Sequence, residues 1–134
     1  MANVLYAKGK EALLSAGINL LTDTIKVALV SNAYAQNTTT DQYLSTVSPY
    51  VLNTSQTLAS KSVADGVFDA ADPTWTAVTA GNTCEGIVIY KDTGVAGTSP
   101  LIAYIDTITG FPLATNGGDI TVQFDNGAYK IFSL

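Results

Sequence analysis

The chain has 134 residues, a net charge of −5, six lysines, and neither arginine nor histidine. Because the lysines are scattered, the basic surface that nucleic acid binding requires is not expected. The missing histidine removes the commonest general base and metal ligand, and no apolar stretch approaches the about 18 residues of a membrane span. We therefore expect a single domain over residues 1–134 that binds no nucleic acid, membrane, cofactor or metal.

The cysteine and the N-terminal residues bear on where the protein is made. Cys84 is the single cysteine, so no intramolecular disulfide can form, and its apolar surroundings predict a buried side chain. Lys8, Lys10 and Glu11 interrupt any apolar run near the N-terminus, so we expect no secretion signal. The chain is predicted to be made in the cytoplasm and not secreted.

An amphipathic pattern near the N-terminus predicts a short α-helix over about residues 5–16, ended by Gly17. Its apolar face contains Leu5, Gly9, Ala12, Leu13 and Ala16. Leu14 falls outside that face. Two interpretations are open: the helix packs on its own domain, or it is an arm offered to a partner.

About eight strands are predicted from alternating or continuous apolar patterns. They cover residues 24–31, 50–61, 62–70, 74–78, 84–91, 101–107, 120–125 and 128–134. The runs at 84–91 and 101–107 are typical of central strands covered on both faces. Residues 50–61, rich in threonine and serine, indicate an edge strand. Exposed loops are expected at 32–40 and 92–100, with a helical turn at 41–46.

The last two strands are expected to form a β-hairpin around Asn126-Gly127, the pair preferred in two-residue type I′ turns. This turn places Phe124 opposite Tyr129. The register puts one apolar set on the same face: Val122, Phe124, Tyr129 and Ile131. Strand number and turn spacing predict an all-β fold, an antiparallel β-sandwich with a jelly roll among its candidate forms and one short N-terminal α-helix.

The acidic residues allow two hypotheses about a reactive site. Asp65, Asp69 and Asp72 lie within eight residues and could bind calcium, although positions near strand ends fit turn formation better. Glu85 and Asp106 lie in apolar runs and could be the carboxylate pair of a glycoside hydrolase. Strand alternation explains them more simply, so we expect neither a metal site nor an enzyme.

Two further features concern ligands. Asn116-Gly117-Gly118-Asp119 has the composition of an anion-binding nest, but a turn before a strand is the favoured interpretation. Seven tyrosines and Trp75 could line a carbohydrate- or protein-binding surface. The same residues serve equally well in a core, so both readings stay open.

Segments along nearly the whole chain carry a likeness to a known family. In the first half they are Leu5-Tyr6, Lys8-Gly9 and DTIKVALV at 23–30. In the second half they are IYKDTG at 89–94, LIAYID at 101–106, NGGDI at 116–120, DNG at 125–127 and KIF at 130–132. These segments resemble a family of small virion proteins encoded by tailed bacteriophages, and the likeness is weakest from Asn32 to Lys61.

The resemblance implies a structural protein of the phage particle, most directly a head-decoration (cement) protein that binds the assembled capsid lattice. The implied partners are the major capsid protein and neighbouring copies of the chain, with a trimer suited to a threefold axis. The implied location is the capsid surface of the virion, after synthesis in the host cytoplasm. A tail or neck component and a glycan-binding module of a tail fibre are the alternatives.

Overall fold

The computed structural model describes residues 4–108, 110–124, 127 and 130–133, and its strand pairs are antiparallel. The strands within this part of the chain are β1 (Val4–Leu5), β2 (Ile25–Ser31), β3 (Val51–Thr57), β4 (Ser62–Ala64), β5 (Val67–Asp69), β6 (Thr74–Trp75), β7 (Thr83–Lys91), β8 (Leu101–Ile105), β9 (Leu113–Ala114), β10 (Ile120–Thr121) and β11 (Phe132–Ser133). The α-helices are α1 (Ala7–Leu14) and α2 (Leu44–Val47), and 3-10 turns lie at Ser48–Tyr50 and Ala96–Thr98. The predicted all-β antiparallel fold is confirmed.

The largest sheet has the strand order β1-β8-β7-β2-β3, with β9 paired to the end of β7. Strands β7 and β8 are buried along almost their whole length, as their continuous apolar runs predict. Strand β3 lies at the end of the sheet, so the edge strand expected within residues 50–61 is confirmed. Two smaller sheets, β10-β6 and β11-β5-β4, complete the pairing among the described strands.

Each face of the large sheet carries its own hydrophobic core. The first core joins Ile87 and Ile89 of β7 to side chains of both small sheets, including Phe68 and Trp75. The second core joins Val88 of β7 to residues from other parts of the chain, among them Tyr6, Tyr34 and Tyr104. Because successive side chains of a strand point to opposite faces, one strand supplies both cores.

Helix α1 differs from its prediction at both ends. It begins at Ala7 because Leu5 belongs to β1, where it pairs with Ala103 of β8. At the other end the Gly17 N–H donates to the Ala12 carbonyl at 2.7 Å, and Ala16 has a φ of 62°. The left-handed position of this helix end is therefore Ala16 and not Gly17.

The single strand predicted over residues 62–70 is wrong, because this segment is a hairpin. Strands β4 and β5 pair with Ala64 opposite Val67, and Asp65 and Gly66 form the turn with φ values of 53° and 79°. Positive φ at both turn positions is the type I′ requirement, and Asp-Gly is one of its preferred pairs.

The strand pairing predicted for the C-terminus is also wrong for the described residues. Ile120 pairs with Trp75 of β6, whereas Phe132 pairs with Phe68 of β5, so the two segments belong to different sheets. Their backbones bond the segment between β5 and β6: Val122 donates to the Pro73 carbonyl, and Phe124 to the Asp72 carboxylate. Of the predicted turn, Asn126 lies outside the described residues, as do Asp125, Ala128 and Tyr129. The apolar set nevertheless packs together, since Val122, Phe124 and Ile131 are buried in the first core.

Candidate interaction surface

The three aspartates considered for calcium binding each have a different structural role. Asp65 is exposed in the β4–β5 turn, Asp69 pairs with Ser62 in the hairpin, and Asp72 accepts the Phe124 N–H at 2.9 Å. Across the described residues no group of three metal-ligating side chains is placed to hold an ion. The turn and strand-end interpretation of these aspartates is therefore the better one.

The two acids considered for hydrolysis are Glu85 on β7 and Asp106 directly after β8, and Tyr104 lies near both. Asp106 follows β8 and contacts the backbone position of Gly86, where an added Cβ would lie 3.1 Å from the Asp106 Cβ. Burial, followed by the negative charges of Asp106 and Glu85, raises the pKa of Tyr104 to about 12. Glu85 and Asp106 are both half-buried.

The candidate anion nest is occupied by the protein's own groups. The Gly118 N–H donates to the Asn116 side-chain oxygen at 2.9 Å, and the Gly117 N–H donates to the Val78 carbonyl at 2.9 Å. The Asp119 carboxylate accepts the Ala77 N–H. With both glycine N–H groups and the carboxylate used internally, the segment is a turn, as the favoured interpretation holds.

Most of the described aromatic side chains are buried. Trp75, which motivated the glycan hypothesis, is 1% exposed and lies in the first core. Its indole N–H finds no hydrogen-bond acceptor among the described residues. A polar cleft of about 200 Å³ lies beside β6 and is lined by Asn53, Thr54, Gln56, Thr74, Trp75 and Thr76. Sugar recognition normally uses an exposed aromatic face, and Trp75 does not offer one.

The tyrosines of the second core form a buried network that sequence reasoning missed. The Tyr6 and Tyr34 hydroxyls lie 2.7 Å apart, and the Tyr34 hydroxyl donates to the Asp41 carboxylate at 2.7 Å. Burial raises the pKa of both tyrosines. A further bond from the Ala7 N–H to the Thr38 carbonyl ties the start of α1 to the same loop. This network holds residues 32–41 over the sheet, and the spacing of its members gives no local signal.

Cys84 lies on β7 with no exposed surface, so the predicted buried cysteine is confirmed. Burial raises the pKa of its thiol to about 12. A thiol with this pKa stays protonated near neutral pH and is a poor nucleophile.

An exposed apolar groove lies between the C-terminal end of α1 and the β4–β5 hairpin. This α1 groove has a volume of about 350 Å³ and is lined by Leu13, Ala16, Ile18, Asn19, Leu20, Leu21 and Val63. Leu21 and Val63 are 51% and 46% exposed, and neighbouring Leu14 is 83% exposed. Contiguous exposed apolar side chains are typical of interaction sites. The position of Leu14 outside the predicted helix face was the one sequence signal for this surface.

The wall of the α1 groove formed by residues 16–23 is held by a dense set of polar contacts. The Asn19 side-chain oxygen accepts the N–H groups of Leu21 and Thr22, and the Asp23 carboxylate accepts the Asn19 N–H at 2.7 Å. That bond, followed by the Lys91 ammonium 3.2 Å away, holds the pKa of Asp23 below its usual value. Lys61 donates to the Asp23 carbonyl, and Lys91 also donates to the carbonyl of Gly17.

Comparison with known proteins adds no family assignment. No protein-family model matches the chain, and the search of curated proteins finds no match either. Within the part of the chain that the structure describes, no helix is long and apolar enough to span a membrane. The fold and the α1 groove therefore define the class: an all-β antiparallel protein with an exposed apolar surface.

Proposed function

We propose that this chain is a non-enzymatic structural protein of a tailed-phage particle, and that it binds the assembled capsid lattice as a decoration or cement protein. The observation that carries the proposal is the α1 groove, a preformed apolar surface on an acidic β-domain. The resemblance of the sequence to small virion proteins supplies the class of partner.

The residues that carry this resemblance form the fold. Leu5 pairs with β8, Tyr6 is buried beneath the loop that begins at Asn32, and Gly9 packs on the β8 backbone. The segments 89–94 and 101–106 contain parts of the two central strands. The likeness therefore supports a shared scaffold, on which the surface residues are free to differ.

A lattice-binding protein stabilises its target by mass action. Because it binds the assembled lattice and not the dissociated subunits, a free concentration a hundredfold above Kd stabilises each lattice site by about 2.7 kcal/mol. Many copies on one particle add their effects, so each individual contact can be weak. The net charge of −5 disfavours binding to packaged DNA.

The test uses capsids of the encoding phage, purified from a strain that lacks the gene for this chain. We expect the purified protein to bind these capsids at saturable, symmetry-related positions in cryo-electron microscopy, and to raise the temperature at which they release DNA. Dissociated capsid subunits should not bind it. Density for the chain confined to the tail or neck would contradict the decoration function, as would capsids unchanged in stability.

The glycan-binding alternative is weakened by the burial of Trp75. A glycan array with the purified protein separates the two functions, because a decoration protein has no reason to retain a sugar.

A further inference from the structure

One segment between β2 and α2 covers the second core from outside. We call this segment, residues 33–41, the strap. Tyr34 is its one buried residue, and the Tyr34 ring packs against the rings of Tyr50 and Tyr104 at centroid distances of 5.8 and 5.9 Å. The other strap residues are exposed or half-buried. The strap therefore has few buried apolar contacts, which is typical of segments that open locally.

The strap is tied to the sheet at its two ends. The Asn32 N–H donates to the Thr83 carbonyl at 3.1 Å directly before the strap, and the Gln42 carbonyl accepts the Leu101 N–H at 2.8 Å directly after it. Between these points the strap bonds mainly to itself, through the backbone and side chain of Asn37. Because both ends are held, the middle of the strap can move away from the sheet as one piece.

Two hydrogen bonds join the middle of the strap to a distant part of the chain, and both reach consecutive residues near the N-terminus. The Tyr6 and Tyr34 hydroxyls lie 2.7 Å apart, and the Ala7 N–H donates to the Thr38 carbonyl at 2.7 Å. Within the described residues, no other hydrogen bond or ion pair joins the strap to a residue outside 31–42. The position of the strap thus depends on Tyr6 and Ala7.

The N-terminal segment that makes these two bonds lies at an edge of the large sheet. Strand β1 pairs with β8 alone, at two positions, and the Tyr6 N–H donates to the Ile102 carbonyl at 2.9 Å. The Tyr34 hydroxyl gives its one proton to Asp41, so it accepts the proton of Tyr6. Release of this edge segment breaks both strap bonds at once and leaves the central strands paired.

We propose that residues 4–7 lock the strap: when this N-terminal segment leaves the sheet edge, the middle of the strap lifts and uncovers the tyrosines of the second core. The locked form predominates, and the open form is a minor state of the kind that proteolysis of a native protein detects. The coupling is reciprocal, so an open strap also favours release of residues 4–7. The lock is a property of the fold and operates whether or not the chain binds a capsid.

The test measures how fast chymotrypsin cuts the native, full-length chain after Tyr34, with each cut site identified by mass spectrometry. Tyr34 is 6% exposed, so cleavage there requires the strap to open. At low protease concentration the initial rate follows the population of the open form. Cleavage after Tyr90, in the central strand β7, requires the sheet to unfold and is the reference. In the parent protein we expect the cut after Tyr34 to be the faster one.

Two substitutions each remove one bond of the lock and leave the strap sequence unchanged. Tyr6→Phe removes the hydroxyl that contacts Tyr34. Ala7→Pro removes the N–H that donates to Thr38, and proline fits there because Ala7 is the first residue of α1 and Tyr6 has φ −64° and ψ 137°. Each substitution should raise the rate of cleavage after Tyr34 by about threefold to tenfold, as expected for the loss of one hydrogen bond.

Two matched variants are the controls. Tyr90→Phe removes a hydroxyl of the same core for which no hydrogen bond is found among the described residues, and Ala7→Ser keeps the backbone N–H. Both should be cut after Tyr34 at the parental rate, and all variants should keep the circular dichroism spectrum of the parent. Three results would each overturn the proposal: a parent cut no faster after Tyr34 than after Tyr90, a parental rate in either lock variant, or an equal rise in a control.

Discussion

At the scale of single residues, Gly9 and Tyr6 show why a short N-terminal motif matters to the whole fold. Tyr6 is fully buried, and its hydroxyl contacts Tyr34, twenty-eight positions away along the chain. Gly9 lies against β8, where a Cβ would clash with the Leu101 carbonyl oxygen. The two residues together fix the path of the chain from β1 into α1.

The absence of a side chain at Gly9 predicts the sign of the change in the free energy of unfolding when this glycine is replaced by alanine. In an exposed helix, replacing glycine by alanine stabilises by about 0.5–1 kcal/mol. Gly9→Ala should instead lower the free energy of unfolding by about 1–3 kcal/mol, the usual effect of overpacking, as measured by urea denaturation. Gly97→Ala is the control, since no heavy atom lies within 4 Å of its Cβ position. If Gly9→Ala proves as stable as Gly97→Ala, helix α1 does not pack on β8 as described.

At the scale of elements, the strands that flank two Asx-Gly pairs of this chain differ in their partners. Asp65-Gly66 forms a two-residue turn between β4 and β5, with each strand pairing to the other. The segments around Asn126-Gly127 pair instead with β6 and β5. Local turn preference contributes about 1 kcal/mol at a strained position. This contribution is small beside the burial of several side chains, so the partners of a strand depend on tertiary contacts.

The β4–β5 turn yields the second prediction. Gly66 has a φ of 79°, a conformation that an alanine side chain opposes. Gly66→Ala should therefore destabilise the protein by about 1–3 kcal/mol. Asp65→Asn is the matched control, because asparagine tolerates positive φ as well as aspartate, and its effect should stay within about 0.5 kcal/mol. Urea denaturation of both variants is the measurement, and a Gly66→Ala protein with parental stability would speak against the turn.

At the scale of the whole molecule, the central sheet separates two hydrophobic cores, and the described buried residues of one core are not part of the other. In β7, Ile87 and Ile89 enter the first core while Val88 and Tyr90 enter the second. Loss of either core exposes one face of the same strands to water. Unfolding of one core should therefore destabilise the other core, so the two should unfold together.

This coupling can be measured with two spectroscopic probes in one urea titration. Trp75 is the single tryptophan and reports on the first core by fluorescence. Tyrosine ellipticity in the near ultraviolet reports mainly on the second core, which contains Tyr6, Tyr34, Tyr90 and Tyr104. We expect the two transitions to have the same midpoint. A tyrosine signal that disappears at a lower urea concentration than the tryptophan signal would mean that residues 32–50, which cover one face of the sheet, unfold independently of it.

The sequence by itself determined the features that depend on local pattern. Period-two alternation located the core strands, continuous apolar runs identified β7 and β8 as central, and threonine-rich composition identified β3 as an edge. These inferences succeed because side-chain direction and burial follow directly from residue spacing along a strand. The burial of Cys84 follows for the same reason.

Only the tertiary structure decided which strands pair, which side chains meet and which apolar residues stay exposed. Ile120 pairs with Trp75, and the Tyr34 hydroxyl hydrogen-bonds to Asp41 and Tyr6. No spacing in the sequence predicts these contacts. The α1 groove is assembled from a helix end, the loop that directly follows it, and a hairpin that lies more than forty residues further along the chain. Such a surface depends on how whole elements pack against each other, because the tertiary structure decides which apolar side chains are buried and which stay exposed.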